Sequence, residues 1–213
     1  MNMIRLAFVF GIFLAYKLRK QKTILKLLLI LGLLFQISLM YWYKGADNIF
    51  LTEGLPLYHC RIATIMMAIS YFSNRQKQAR YFAWLGILGA FIAFMIPDPS
   101  KYLWPHITNL TYIGSHLTLV MTGTMILLNS SVRIDYRDIF KYTIIVNSLI
   151  FIANFIFSSN YGYLSKLPQA LNIDLPKPLI FMAITGLITV CLGFFETDLW
   201  RVNRRILAKE PLN

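Results

Sequence analysis

Apolar stretches of about 20 residues recur along this chain, and a stretch of that length crosses a lipid bilayer as a helix. Helices are favoured there because every backbone N–H and C=O must be bonded within the segment when no water is at hand. Seven such stretches stand out, at roughly 3–16, 24–43, 56–73, 80–97, 108–128, 139–157 and 178–198. The composition leaves little room for a soluble fold. Hydrophobic residues make up 57% of the chain and charged residues only 14%, against about 25% charged in soluble domains. The pattern predicts an all-α, polytopic membrane protein: one domain over residues 1–213, built as a bundle of seven transmembrane helices.

The net charge of +12, from 21 Lys+Arg against 9 Asp+Glu, raises the question of nucleic acid. The distribution answers it, because the basic residues sit in short clusters between apolar runs, as topology signals do. One side carries Lys17, Arg19, Lys20, Lys22, Lys26, Arg75, Lys77, Arg80, Arg133, Arg137, Lys141, Arg201, Arg204, Arg205 and Lys209. The other carries Arg5, Lys44, Lys101, Lys166 and Lys177. That asymmetry predicts an external N-terminus, a cytoplasmic C-terminus and a multi-pass protein of the plasma membrane. No nucleic-acid partner is expected. The first apolar run is followed by its basic cluster and shows no small-residue cleavage site, so it reads as a short first span.

Polar residues inside apolar spans are costly and usually face the bundle interior or a water-filled cavity. Here their depths agree. His59, Cys60 and Arg61 lie about one turn into the third span from outside. Asp98 closes the fourth span, His106 and His116 flank the start of the fifth, and Asn154 and Asn160 lie at the end of the sixth. In the fifth span Thr108, Thr111, Ser115, Thr118 and Thr122 form a continuous hydroxyl stripe. Such a stripe also suits close helix packing. The inner half of the membrane shows no comparable set, so a polar cavity is expected in the outer half.

Chemistry concentrates in Leu-Pro-Leu-Tyr-His-Cys-Arg-Ile, residues 55–62. Gly54 and Leu55 before Pro56 predict a helix start with proline at the first position, which puts Cys60 in the second turn. Cys60 is a candidate nucleophile that needs a base; its other reading is a small apolar residue in a helix interface. His59 is a poor base for it, since adjacent helical residues point about 100° apart. His116, on another helix at matching depth, is the better base, with Asp98 to orient it. Asn154 and Asn160 are candidate oxyanion donors, and Arg61 a candidate lipid-phosphate ligand. Cys60 and Cys191 make no disulfide framework and no metal-ligand spacing.

Leu-Pro-Leu-Tyr-His-Cys-Arg-Ile, Pro97-Asp98, Trp104-Pro105-His106, Ser115-His116, and Asn154 with Ser159-Asn160-Tyr161 together resemble the YwaF-like integral membrane proteins. The resemblance runs in order over about residues 30–195. The family is related to a eukaryotic transmembrane cysteine-dependent acyltransferase that moves fatty acyl chains between phospholipids. It therefore implies Cys60 as nucleophile and His116 as its base, acting on membrane phospholipids without a cofactor. One departure is visible. The family's commoner pattern places a histidine two residues before the cysteine, where this chain has Tyr58, so no role for that histidine carries over to His59. A receptor or transporter that binds a small ligand in the same cavity is the alternative. No inverted repeat or pair of broken helices supports transport, and a purely structural membrane protein is the third reading.

Overall fold

The computed structural model describes residues 2–46, 49–95, 103–168 and 173–207, and among them all regular structure is helical. Seven α-helices follow in order: α1 (Asn2–Leu18), α2 (Lys22–Gly45), α3 (His59–Phe72), α4 (Gln76–Met95), α5 (Ile107–Asn129), α6 (Tyr136–Phe157) and α7 (Lys177–Leu207). A π turn at Phe50–Gly54 precedes α3, and a short 3₁₀ turn at Tyr161–Tyr163 follows α6.

Five of these helices, α2, α4, α5, α6 and α7, are long and apolar enough to cross a membrane. The sequence predicted seven spans; α1 and α3 are the two that fall short, with 17 and 14 residues. At 1.5 Å per residue α3 reaches about 21 Å, less than a hydrocarbon core of about 30 Å. The start of the predicted third span, residues 56–58, is not helical. Such backbone is tolerated at membrane depth only where protein covers it.

α5 is the centre of the bundle and packs against α1, α2, α3 and α4, while α6 pairs with α7. Its hydroxyl stripe is buried as the sequence suggested. Three of those hydroxyls donate to carbonyls one turn back on the same helix: Thr111 to Ile107, Thr118 to Gly114 and Thr122 to Thr118. The stripe is therefore a packing seam. Large apolar side chains cover much of the outside, among them Val9, Phe10, Leu34, Ile37, Leu149, Phe155, Leu187 and Phe194. An apolar belt of this extent has lipid as its natural solvent.

The expectation that only one half of the membrane holds interior polar groups fails. At the end of the bundle opposite Cys60, Arg80 of α4 and Glu196 of α7 form an ion pair with side chains 0% and 1% exposed. Arg80 Nε lies 3.0 and 2.8 Å from the two carboxylate oxygens. Trp84 Nε1 and the Ile134 backbone N–H donate to the same carboxylate at 2.7 and 3.1 Å. Arg80 Nη1 donates to the Leu127 carbonyl. This cluster ties α4, α5, α7 and the α5–α6 connection together.

Candidate active site

The proline in residues 55–62 does not begin a helix. Leu55 is extended, as a residue before proline prefers, and Tyr58 is the extended N-cap of a helix that starts at His59. Arg61 reinforces this: its Nη1 donates to the carbonyls of Glu53, Gly54 and Leu55 at 3.0, 3.2 and 3.2 Å. Those carbonyls belong to the end of the π turn and its C-cap, where helical acceptors run out of donors. Cys60 consequently stands in the first turn of α3, one turn earlier than the sequence suggested.

That position sets the sulfur at the N-terminal end of a helix. First-turn amides lack intrahelical acceptors, and the helix dipole presents its positive end there. The Arg61 guanidinium is near enough to the Cys60 sulfur to act on it electrostatically. The His116 imidazole of α5 comes close enough to the Cys60 thiol to interact with it. On α4, Gly89 leaves room for all this, since a Cβ there would already touch Cys60 Cβ at 3.6 Å. Cys60 is half-buried and, like Cys191, a free thiol.

His116 is held by its own helix. Its Nδ1 lies 2.7 Å from the Tyr112 carbonyl, which can only accept, so Nδ1 carries the proton. Nε2 is then the basic nitrogen, left to serve the thiol. The ring is clasped between Tyr112 and Phe94, at centroid distances of 4.7 and 5.7 Å. Tyr112 is fixed in turn by donating its hydroxyl to the Ala93 carbonyl of α4 at 2.6 Å. The orienting partner expected from Asp98 is thus supplied by a backbone carbonyl, while Asp98 itself lies outside the described residues.

The other candidates have different partners. His59 turns to α6, where Nε2 meets Asn147 Oδ1 at 2.7 Å, and Asn147 donates onward to Thr185 of α7 at 2.8 Å. Asn154 braces the turn after α6: its Oδ1 accepts from the Tyr161 N–H and the Ser159 hydroxyl, and its Nδ2 donates to the Tyr161 carbonyl. Asn160 does the same for Ser165 and Lys166. Tyr161 locks this turn to the segment before α3, accepting from the Leu55 N–H and donating to the Leu51 carbonyl, both at 3.1 Å. His106 caps α5 by accepting from the Thr108 N–H.

The structure therefore unites Cys60, Arg61 and His116, and sets His59, Asn154 and Asn160 in the frame around them. An open groove of about 770 Å³ lies nearby, between the end of α2 and the start of α5, lined by Ile37, Ser38, Tyr41, Trp42, Gly45, Ala46 and Ile107. None of these predicted residues lines it. A buried polar residue that sequence reasoning passed over is Gln36, a lone amide in the apolar run of α2, with its Oε1 unpartnered.

No curated protein and no solved structure matches this chain. A family comparison does, and its span takes in every helix that frames Cys60 and His116. With a match over residues 1–196, the chain belongs to the TMEM164 family of transmembrane proteins.

Proposed function

We propose that this integral, multi-pass membrane protein is a cysteine-dependent acyltransferase that moves a fatty acyl group between phospholipids of the plasma membrane. The observation that carries the reading is the approach of the Cys60 thiol to a His116 whose Nδ1 is fixed by the Tyr112 carbonyl. A thiol, a base on a second helix and a group that orients the base are the parts a nucleophilic cysteine needs. The resemblance to the YwaF-like proteins and their acyltransferase relative supports the same assignment.

In the first half-reaction His116 Nε2 takes the thiol proton, and the Cys60 sulfur attacks the ester carbonyl of a phospholipid. The C–O bond breaks, the leaving alkoxide takes the proton back from His116, and a lysophospholipid departs from an acyl-Cys60 thioester. In the second, His116 removes the proton from an acceptor hydroxyl, whose oxygen attacks the thioester. The C–S bond breaks, and the proton returns to the sulfur. Arg61, already beside Cys60, would draw the lipid phosphate toward the site. With the N-terminus outside, as the charge asymmetry of the loops favours, the site lies in the outer half of the membrane, and lipid enters laterally between helices.

The test is intact-protein mass after incubating the reconstituted protein with phospholipid, with and without hydroxylamine. A hydroxylamine-labile acyl adduct is expected in the wild type and in Cys191→Ala. It should vanish in Cys60→Ala, and in His116→Ala its formation should slow by about 100- to 10,000-fold, as loss of a general base does. An adduct that persists in Cys60→Ala would end the cysteine mechanism.

A further inference from the structure

Gln36 is 4% exposed, on the buried stripe of α2 that runs Leu25, Leu29, Gly32, Gln36 and Leu39. Its Oε1 has no hydrogen-bond partner. The arrangement is costly, because a buried amide loses its hydration and here gains nothing in return. Among the described residues most buried polar side chains are bonded, Thr118 and Thr122 to their own helix and Asn147 to His59 and Thr185, with Ser70 Oγ and Arg80 Nη2 the other buried atoms left without a partner. An amide left open in such an interior is poised for something that arrives.

Helix register says where it points. One turn below Gln36, a Cβ on Gly32 would meet Thr64 Cγ2 of α3 at 3.2 Å and Thr118 Oγ1 of α5 at 3.4 Å. So α2, α3 and α5 touch at the level of Gly32, Thr64 and Thr118. Four residues along a helix is one turn on the same face, about 6 Å. Moving one turn toward the site end takes Gly32 to Gln36 on α2 and Thr64 to Cys60 on α3. On α5 it takes Thr118 to Gly114, with Ser115 and His116 following. The Phe35 ring confirms the level independently, since a Cβ on Gly114 would lie 2.5 Å from it. Gln36 therefore shares its level and the inter-helix space with Cys60 and His116.

We propose that the Gln36 amide is a catalytic hydrogen-bond donor for the carbonyl oxygen of the acyl group attacked by Cys60. This rests on the acyltransferase reading above. The amide can turn its Nε2 toward the oxygen, since no partner fixes which of its two ends faces the space. In the tetrahedral intermediate that oxygen carries the negative charge, and a donor waiting in a water-poor interior is most effective there. The same oxygen occupies the site in both half-reactions, so one residue serves both.

The test is Gln36→Met, which keeps the side chain's length and removes its donor. Three quantities are read: the rate of acyl-Cys60 formation, the rate at which iodoacetamide alkylates Cys60, and the melting temperature. Acylation should slow by about 100- to 1,000-fold, the usual effect of losing one oxyanion donor. Alkylation forms no oxyanion and should be unchanged. The melting temperature should hold or rise, because an unpartnered buried amide has gone. Gln36→Leu, which also fills the space and has no donor, should be slow as well. Wild-type acylation in Gln36→Met would overturn the proposal while leaving the acyltransferase reading intact. Acylation and alkylation falling by the same factor would also overturn it, by making Gln36 a structural residue. Failure of the wild type itself to acylate Cys60 would overturn both.

Discussion

At each end of this bundle polar groups are drawn into an apolar interior, and the two ends treat them differently. At one end Arg80 and Glu196 close on each other, and the carboxylate also takes the Trp84 and Ile134 donors. At the other, Cys60 and His116 approach each other across two helices, while the buried Gln36 amide of α2 keeps an oxygen without a partner. The first arrangement holds helices together and is nearly complete in itself, with only Arg80 Nη2 left over. The second is incomplete, although its frame is rigid. Polarity inside a membrane protein is thus weak evidence of function. What separates a staple from a site is whether the groups already satisfy one another.

The largest effect that would separate the two ends is at Glu196. Glu196→Ala strands the Arg80 charge in the interior, along with the two donors that shared the carboxylate. Breaking a buried pair from one side costs about 3–5 kcal/mol. The expected outcome is little folded protein after extraction, measured as the monodisperse fraction on size exclusion and as the melting temperature. Replacing both partners, with Arg80→Met and Glu196→Met together, should recover part of that loss, since apolar replacements of similar volume often substitute for a buried pair. His116→Ala should slow adduct formation and leave the fold intact. Should Glu196→Ala fold normally, the staple is no staple.

An intermediate effect is expected at Gly162, in the turn that frames the site. Its φ is +62°, in the left-handed region, and a Cβ there would lie 2.7 Å from His59 Cε1. Gly162→Ala combines about 1–2 kcal/mol of backbone strain with displacement of the His59 ring. A lower melting temperature is expected, with acylation of Cys60 slowed but not abolished. The outcome that would detach this turn from the site is a lower melting temperature at an unchanged acylation rate.

How much of this was legible follows from what each residue does. Cys60 and His116 could be paired from sequence because depth in a span can be counted and both are rare in apolar runs. The helix start was misplaced, because Pro56 is a favoured first residue and nothing local reveals that Arg61 will gather three carbonyls upstream of it. Tyr112 could not be found as the orienting group, since every helical residue has a carbonyl and only the fold decides which one a histidine meets. Arg80 was hidden among Arg75 and Lys77 and read as a loop charge. Glu196, a carboxylate inside an apolar run, did carry a signal, as did Gln36 in α2. A lone polar residue in a span marks interior placement, and it leaves staple and site undistinguished until its partners are known.

The smallest expected effect makes the same point at the end where the staple lies. Lys77 stands three residues before Arg80 on α4 and pairs with Asp138 at 2.8 Å, the same distance that separates Arg80 Nε from Glu196. The Lys77 and Asp138 side chains are 47% and 29% exposed. Water, counter-ions and lipid headgroups can replace either partner there, and an exposed lysine loses side-chain entropy when it is held in one geometry. Lys77→Ala should therefore leave the melting temperature within measurement error, at low salt and at high salt alike. A clear drop would mean that the pair is shielded in the membrane-bound protein and belongs with Arg80 and Glu196. Without that drop, two ion pairs of equal length three residues apart differ in worth because only one of them has been taken out of water.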